Sequence, residues 1–128
     1  MTNPVPLAPT SWGELLDKIT ILQIKTERLP TQNARDNAAK ELGLLQDIAA
    51  PVLARAATLL ARLKALNEAL WEIEERIREH ERRGLFDAEF IELARSVYKS
   101  NDERGRIKRE INLALGSELV EEKSYKPY

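Results

Sequence analysis

LLARLKALNEALWEIEERIREHERRG, residues 59–84, decides the fold. Leu59, Leu63, Leu66, Leu70, Ile73 and Ile77 recur in alternating steps of four and three, ending at His80. That rhythm puts the apolar side chains on one stripe of a helix; a strand, whose side chains alternate every two residues, reads differently. Gly84 is the stop, because a residue without Cβ closes a helix in the left-handed conformation, and Arg82 and Arg83 suit the negative end of the dipole. The rhythm then resumes behind the cap Asp87, through Phe86, Phe90, Leu93, Val97, Ser100, Arg104, Ile107, Ile111 and Ala114 to the stop at Gly116. So short a connection makes residues 52–83 and 87–115 an antiparallel hairpin. The fold class is all-α: a helical bundle of three or four helices built on that long antiparallel hairpin.

Upstream, Ser11 and Glu14 form the capping-box pattern S-x-x-E, in which the hydroxyl covers a free backbone N–H and the carboxylate reaches back. Trp12, Leu15, Ile19, Leu22, Thr26 and Leu29 then make an apolar stripe that Leu16, Ile21 and Ile24 widen, so this first helix is expected to be buried on more than one side. Pro30 ends it, since the residue before a proline avoids the helical region. A second helix is expected from about Asn33 to Ala49 with Ala34, Ala38, Leu42, Leu45 and Ile48 on its inner face, and Pro51 marks a restart or kink. Residues 1–10, MTNPVPLAPT, are a Pro-rich N-terminal arm; 11–116 form the bundle domain; 117–128 are a C-terminal tail.

The chain has 128 residues, with 20 Lys and Arg against 21 Asp and Glu. The signs balance segment by segment through residue 116, and only the last twelve residues tip, with Lys123 and Lys126 against Glu118, Glu121 and Glu122. This argues against nucleic acid as a partner, because nucleic-acid binders carry a basic footprint. No apolar run is long enough to span a membrane. The absence of Cys removes thiolate chemistry and fits a cytoplasmic location. The glycines form no phosphate-binding pattern and the single His80 supports no metal motif, so neither cofactor nor metal is expected. His80 itself reads as a dipole partner at a helix end.

The informative irregularity is polar residues in an apolar seam. Ser100 and Arg104 stand where the pattern asks for apolar side chains, flanked by Asn101 and Asp102. Folding the hairpin about Gly84 brings Asn67 opposite Asn101 and Leu63 opposite Arg104. Burying such groups unpaired costs about 1–3 kcal/mol each, so they must bond to one another, to water or to a ligand. The candidate polar site is therefore Asn67, Asn101, Asp102 and Arg104, with Lys25 and Tyr98 as contributors. The competing reading is a structural layer that fixes register. The neighbouring run Arg104, Arg106, Lys108, Arg109 is flanked by Glu103 and Glu110 and reads as a solvated face. Trp71, Tyr125 and Tyr128 are candidate interface residues, the two tyrosines docking on the bundle or on a second subunit.

Three stretches, SWGELLDKITILQIKTERL at 11–29, ALWEIEERIR at 69–78, and FIELARSVYKSNDERGRIKREIN running into EEKSY at 121–125, resemble a family of small bacterial proteins defined only as a domain of unknown function. The resemblance implies a bacterial cytoplasmic protein whose relatives accompany surface-polysaccharide and glycosyltransferase functions. Leu15 to Arg28 is also similar to the first helix of the all-helical chorismate mutases, although the Arg expected before the Ile is absent and Asp17 precedes Ile19 by two positions. That likeness implies a small-molecule enzyme or binder working in the polar layer, as the alternative to a non-enzymatic helical interaction or accessory protein. Apolar surface on several sides of the first helix, with Trp71, Ile91 and Tyr98 off the hairpin stripe, predicts a homodimer and admits a protein partner.

Overall fold

The computed structural model describes residues 3–128. Helix α1 spans Trp12–Arg28, α2 Gln32–Ala49, α3 Ala57–Arg83 and α4 Ala88–Ala114, with a 3-10 turn at Leu53–Ala56. The boundaries have local causes. Ser11 Oγ accepts the Glu14 N–H at 3.1 Å, whereas the Glu14 carboxylate turns to Lys108 at 2.6 Å, so only half of the capping box forms. Leu29 is extended before Pro30, and Thr31 Oγ1 accepts the Ala34 N–H at 3.2 Å, which starts α2 at Gln32. After Pro51 the chain bends by 97°. The expected helix from residue 52 is regular only from Ala57, because its first turn is wound as the tighter 3-10 form. Gly84, at φ 63°, donates its N–H to Glu81, and Leu85 N–H returns to the His80 carbonyl at 2.9 Å. Asp87 caps α4 by accepting the Phe90 N–H at 3.0 Å.

Helix α1 is the centre of the molecule, with α2 on one side and the α3–α4 hairpin on the other. Leu15, Leu16 and Ile19 pack with Ala49, Ala56, Leu63, Ile107, Ile111 and Leu115, and Leu16 and Leu63 are wholly inaccessible. Each such leucine contributes about 1.5–3 kcal/mol by leaving water. The apolar surface on several sides of α1 is thus covered inside one chain, and that part of the argument for a dimer falls away. Ile48, expected on the inner face of α2, is 53% exposed. The last turn of α2 faces Ala49 inward instead, and neighbouring residues on a helix point about 100° apart.

The hairpin outruns α1. Ion pairs tie Arg28 to Glu68 and Glu72, and no hydrogen bond or ion pair from α1 or α2 reaches residues 73–96 among the described residues. There α3 and α4 hold each other through the Arg76–Glu89 ion pair, the His80 ring against Phe90 and the buried Leu93. Phe86 and Ile91, on this projecting arm, are 59% and 56% exposed.

Candidate functional site

The polar layer forms, and its centre is a residue that the hairpin pattern does not contain. Asp17 of α1 is 1% exposed. Its carboxylate accepts Arg104 Nε on Oδ1 at 3.0 Å and Arg104 Nη2 on Oδ2 at 2.6 Å, a two-pronged pair that carries geometric specificity as well as charge. Asn67 Nδ2 donates to the same Oδ1 at 2.9 Å and to Thr20 Oγ1 at 2.8 Å, and the Thr20 hydroxyl donates to the Asp17 carbonyl at 2.7 Å. Asn67 therefore faces α1 rather than Asn101, because an ionised carboxylate outcompetes a neutral amide as acceptor. Asn101 joins the layer more loosely, accepting Arg104 Nη1 at 3.4 Å. The bond to Asp17 holds the Arg104 guanidinium above its usual range, against the pull of burial.

One turn further along α4 lies a second charged knot. Lys108 Nζ reaches Glu14 at 2.6 Å and Glu121 at 3.0 Å, with Asp17 at 4.0 Å. Burial works against the ammonium, but the bonds to Glu14 and Glu121 outweigh it and raise its pKa. The same bond to Lys108 lowers the pKa of Glu121. Lys108 was expected on a solvated face; it is buried because α1 and the tail close over it. Beyond it Asn112 Oδ1 accepts the Gly13 N–H at 2.7 Å, and Ser117 Oγ accepts the Trp12 N–H at 3.3 Å, so the end of α4 and the turn after it cap the start of α1. A Cβ on Gly13 would lie 2.5 Å from the Lys108 carbonyl, so only glycine permits this approach.

The tail returns along its own α4. Arg109 pairs with Glu122 at 3.8 Å, Tyr128 donates to Asp102 at 2.6 Å, and the Tyr128 ring meets Tyr98 edge-on at 5.2 Å. Donation to Asp102 raises the Tyr128 pKa. Tyr125 is 75% exposed beside Lys123.

Of the six candidate site residues, the fold brings together Asn67, Asn101 and Arg104. Asp102 and Tyr98 belong to the tail contact, and Lys25 makes no hydrogen bond or ion pair with the layer. Asn67, Asn101 and Arg104 also line an open groove of about 560 Å³ between α1, α3 and α4, whose walls include Ile21, Leu70, Trp71 and Val97. Trp71 donates its indole N–H to Glu75 at 2.9 Å. Among the described residues no group of three or more His, Asp or Glu side chains is placed to hold a metal ion.

Asp17, Thr20, Lys108 and Asn112 were missed, and each left a signal. Asp17 lies beside Leu16 and Thr20 beside Ile19, on the sides of α1 that its widened apolar stripe marks as buried, whereas Glu14, Lys18 and Glu27 take the solvent face. On α4, Asn101, Arg104, Lys108 and Asn112 step by three and four along one stripe, which marks a polar seam rather than a scattered surface.

A family model described as "Family of unknown function (DUF6165)" matches residues 8–128. No curated protein and no solved structure matches the chain.

Proposed function

The chain belongs to DUF6165, a family of unknown function, and from its geometry we propose that it is a non-enzymatic helical interaction protein that acts as a homodimer. The carrying observation is the projecting arm, residues 73–96, to which no hydrogen bond or ion pair from α1 or α2 runs among the described residues while Phe86 and Ile91 stay exposed. A two-helix hairpin leaves one face of its seam without a layer, and a second copy supplies that layer as a four-helix bundle. The arm's charges are largely paired within the chain, Arg76 with Glu89, Arg78 with Glu74 and Arg82 with Glu79, so no block of like charge opposes a second copy. A net charge of −1 adds little repulsion. The proposed setting is the bacterial cytoplasm, with an accessory role in surface-polysaccharide assembly; the resemblance of the three stretches quoted above supports it. No single helix among the described residues is long and apolar enough to cross a membrane.

Sedimentation equilibrium at micromolar concentration tests the dimer. The expected mass is twice 14.6 kDa, reverting to 14.6 kDa in Phe86→Glu and Ile91→Glu. A monomer across the whole concentration range overturns it. An affinity pull-down from a bacterium carrying the native chain tests the accessory role, which fails if no glycosyltransferase or polysaccharide-assembly protein is retained.

A further inference from the structure

We propose that the groove between α1, α3 and α4 binds a small uncharged molecule carrying an amide-type head on a flat apolar body. Its volume, about 560 Å³, falls within the range of small-molecule clefts, roughly 300–1,000 Å³. The argument starts from Asn67, which is 6% exposed. Its amide orientation is dictated by chemistry: Asp17 only accepts, so Asn67 must turn its NH2 towards Asp17 and Thr20. The Oδ1 left over accepts no hydrogen bond from the described residues. Among the described residues no fully buried side-chain oxygen or nitrogen lacks a partner, so this oxygen keeps some accessible surface, and the groove is the cavity that Asn67 lines. Asn101 is the mirror case. Its oxygen faces Arg104 and its NH2 donates to nothing among the described residues. Asn101 lines the groove as well as a small cavity over Lys108. With its NH2 turned to the groove the two sides offer an acceptor and a donor, the pair that an amide or lactam satisfies at once.

Charge selects the ligand further. Both oxygens of Asp17 and two nitrogens of Arg104 are occupied with each other, so the floor carries no net charge. At the rim Arg78 lies 3.8 Å from Glu74 and Glu75 remains as surplus. An anion therefore finds Arg104 and Arg78 already engaged by Asp17 and Glu74, and a cation finds no open carboxylate on the floor. Trp71 has its N–H occupied by Glu75, so it offers its ring as an apolar wall, with Leu70, Ile21 and Val97 completing the slot. Aromatic side chains favour a flat ring packed against them.

Benzamide and benzoate, equal in shape and different in charge, are the probes. In a 15N-resolved NMR titration of the full chain, benzamide is expected to shift the Trp71 indole N–H and the Asn67 and Asn101 side-chain amides saturably, with a dissociation constant of about 1 mM for so small a ligand. Benzoate is expected to bind at least about tenfold more weakly. Asn101→Ala should weaken benzamide about fivefold while leaving the urea midpoint in place, and Trp71→Leu should weaken it without altering the Asn67 amide position in the free protein. Absence of saturable shifts up to about 20 mM benzamide overturns the proposal. So does benzoate binding as tightly as benzamide, or an Asn101→Ala affinity equal to that of the unaltered chain. The titration is repeated on Phe86→Glu, monomeric under the proposed function, so that failure of the groove is distinguishable from failure of the dimer.

Discussion

Replacing Asp17 by Ala removes the acceptor at the centre of the bundle. Two Arg104 bonds and one from Asn67 vanish together, and Asn67 keeps only Thr20. Breaking a buried ion pair by deleting one member costs about 3–5 kcal/mol, because the other charge is left without a partner. Arg104 keeps 28% of its side chain in contact with solvent, which places the loss at the lower end of that range. Ala is the better helix former by about 0.6 kcal/mol, so the net expectation is about 2.5 kcal/mol. With a urea slope of about 1.5 kcal/mol/M, the midpoint should fall by about 1.7 M. The companion variant Asp17→Leu with Arg104→Met removes both charges, and its midpoint should return to within about 0.7 M of the starting chain. A single variant within about 0.3 M of the unaltered protein, or a double variant as damaged as the single, would refute the claim that pairing governs this layer.

Gly13→Ala should cost about 2 kcal/mol, since its Cβ meets backbone at 2.5 Å, whereas Gly43→Ala, with nothing within 4 Å of the new Cβ, should gain about 0.5–1 kcal/mol; thermal melts compare them. Leu63→Ala should cost about 2–5 kcal/mol and Leu66→Ala less, because Leu63 is fully buried and Leu66 half-buried; denaturant titration reads both. Tail docking should depend on pH at both extremes. The Glu121 pKa is lowered in the folded state, so its contribution is present above the ordinary value of 4.5 and is lost as pH falls below it. The Lys108 pKa is raised, so its contribution is present below 10.5 and is lost as pH rises beyond it. Protease nicking after Lys123, measured across pH with a protease active at each value, should be slowest between those limits; equal rates throughout would remove the Glu121–Lys108 link as the clasp.

The elements were legible because each is punctuated locally. Ser11, Pro30, Gly84 and Asp87 act within a few residues of themselves, so their effects can be read without knowing what packs where. Ile48 and Lys108 were misread for the opposite reason. Whether Ile48 faces inward depends on the bend after Pro51, and whether Lys108 is covered depends on a tail that crosses it from 13 positions away. The polar layer shows the same division. Asn67, Asn101 and Arg104 announce themselves by interrupting an apolar repeat, but the carboxylate that organises them sits 87 positions from Arg104 on another helix. Pairing arithmetic within the hairpin sees two helices at a time, and the layer is made by three.

Because the central helix precedes along the chain every helix that packs on it, synthesis and folding run out of order. The N–H groups at the start of α1 find their caps 105 and 99 positions later. At about 5–20 residues per second, the ribosome needs several seconds to deliver Arg104 after Asp17 has emerged. Until then α1 has only α2 and the newly made α3 against it, and Asp17 has Asn67 without Arg104. The polar layer consequently closes only when α4 arrives to be clamped over a helix made long before it.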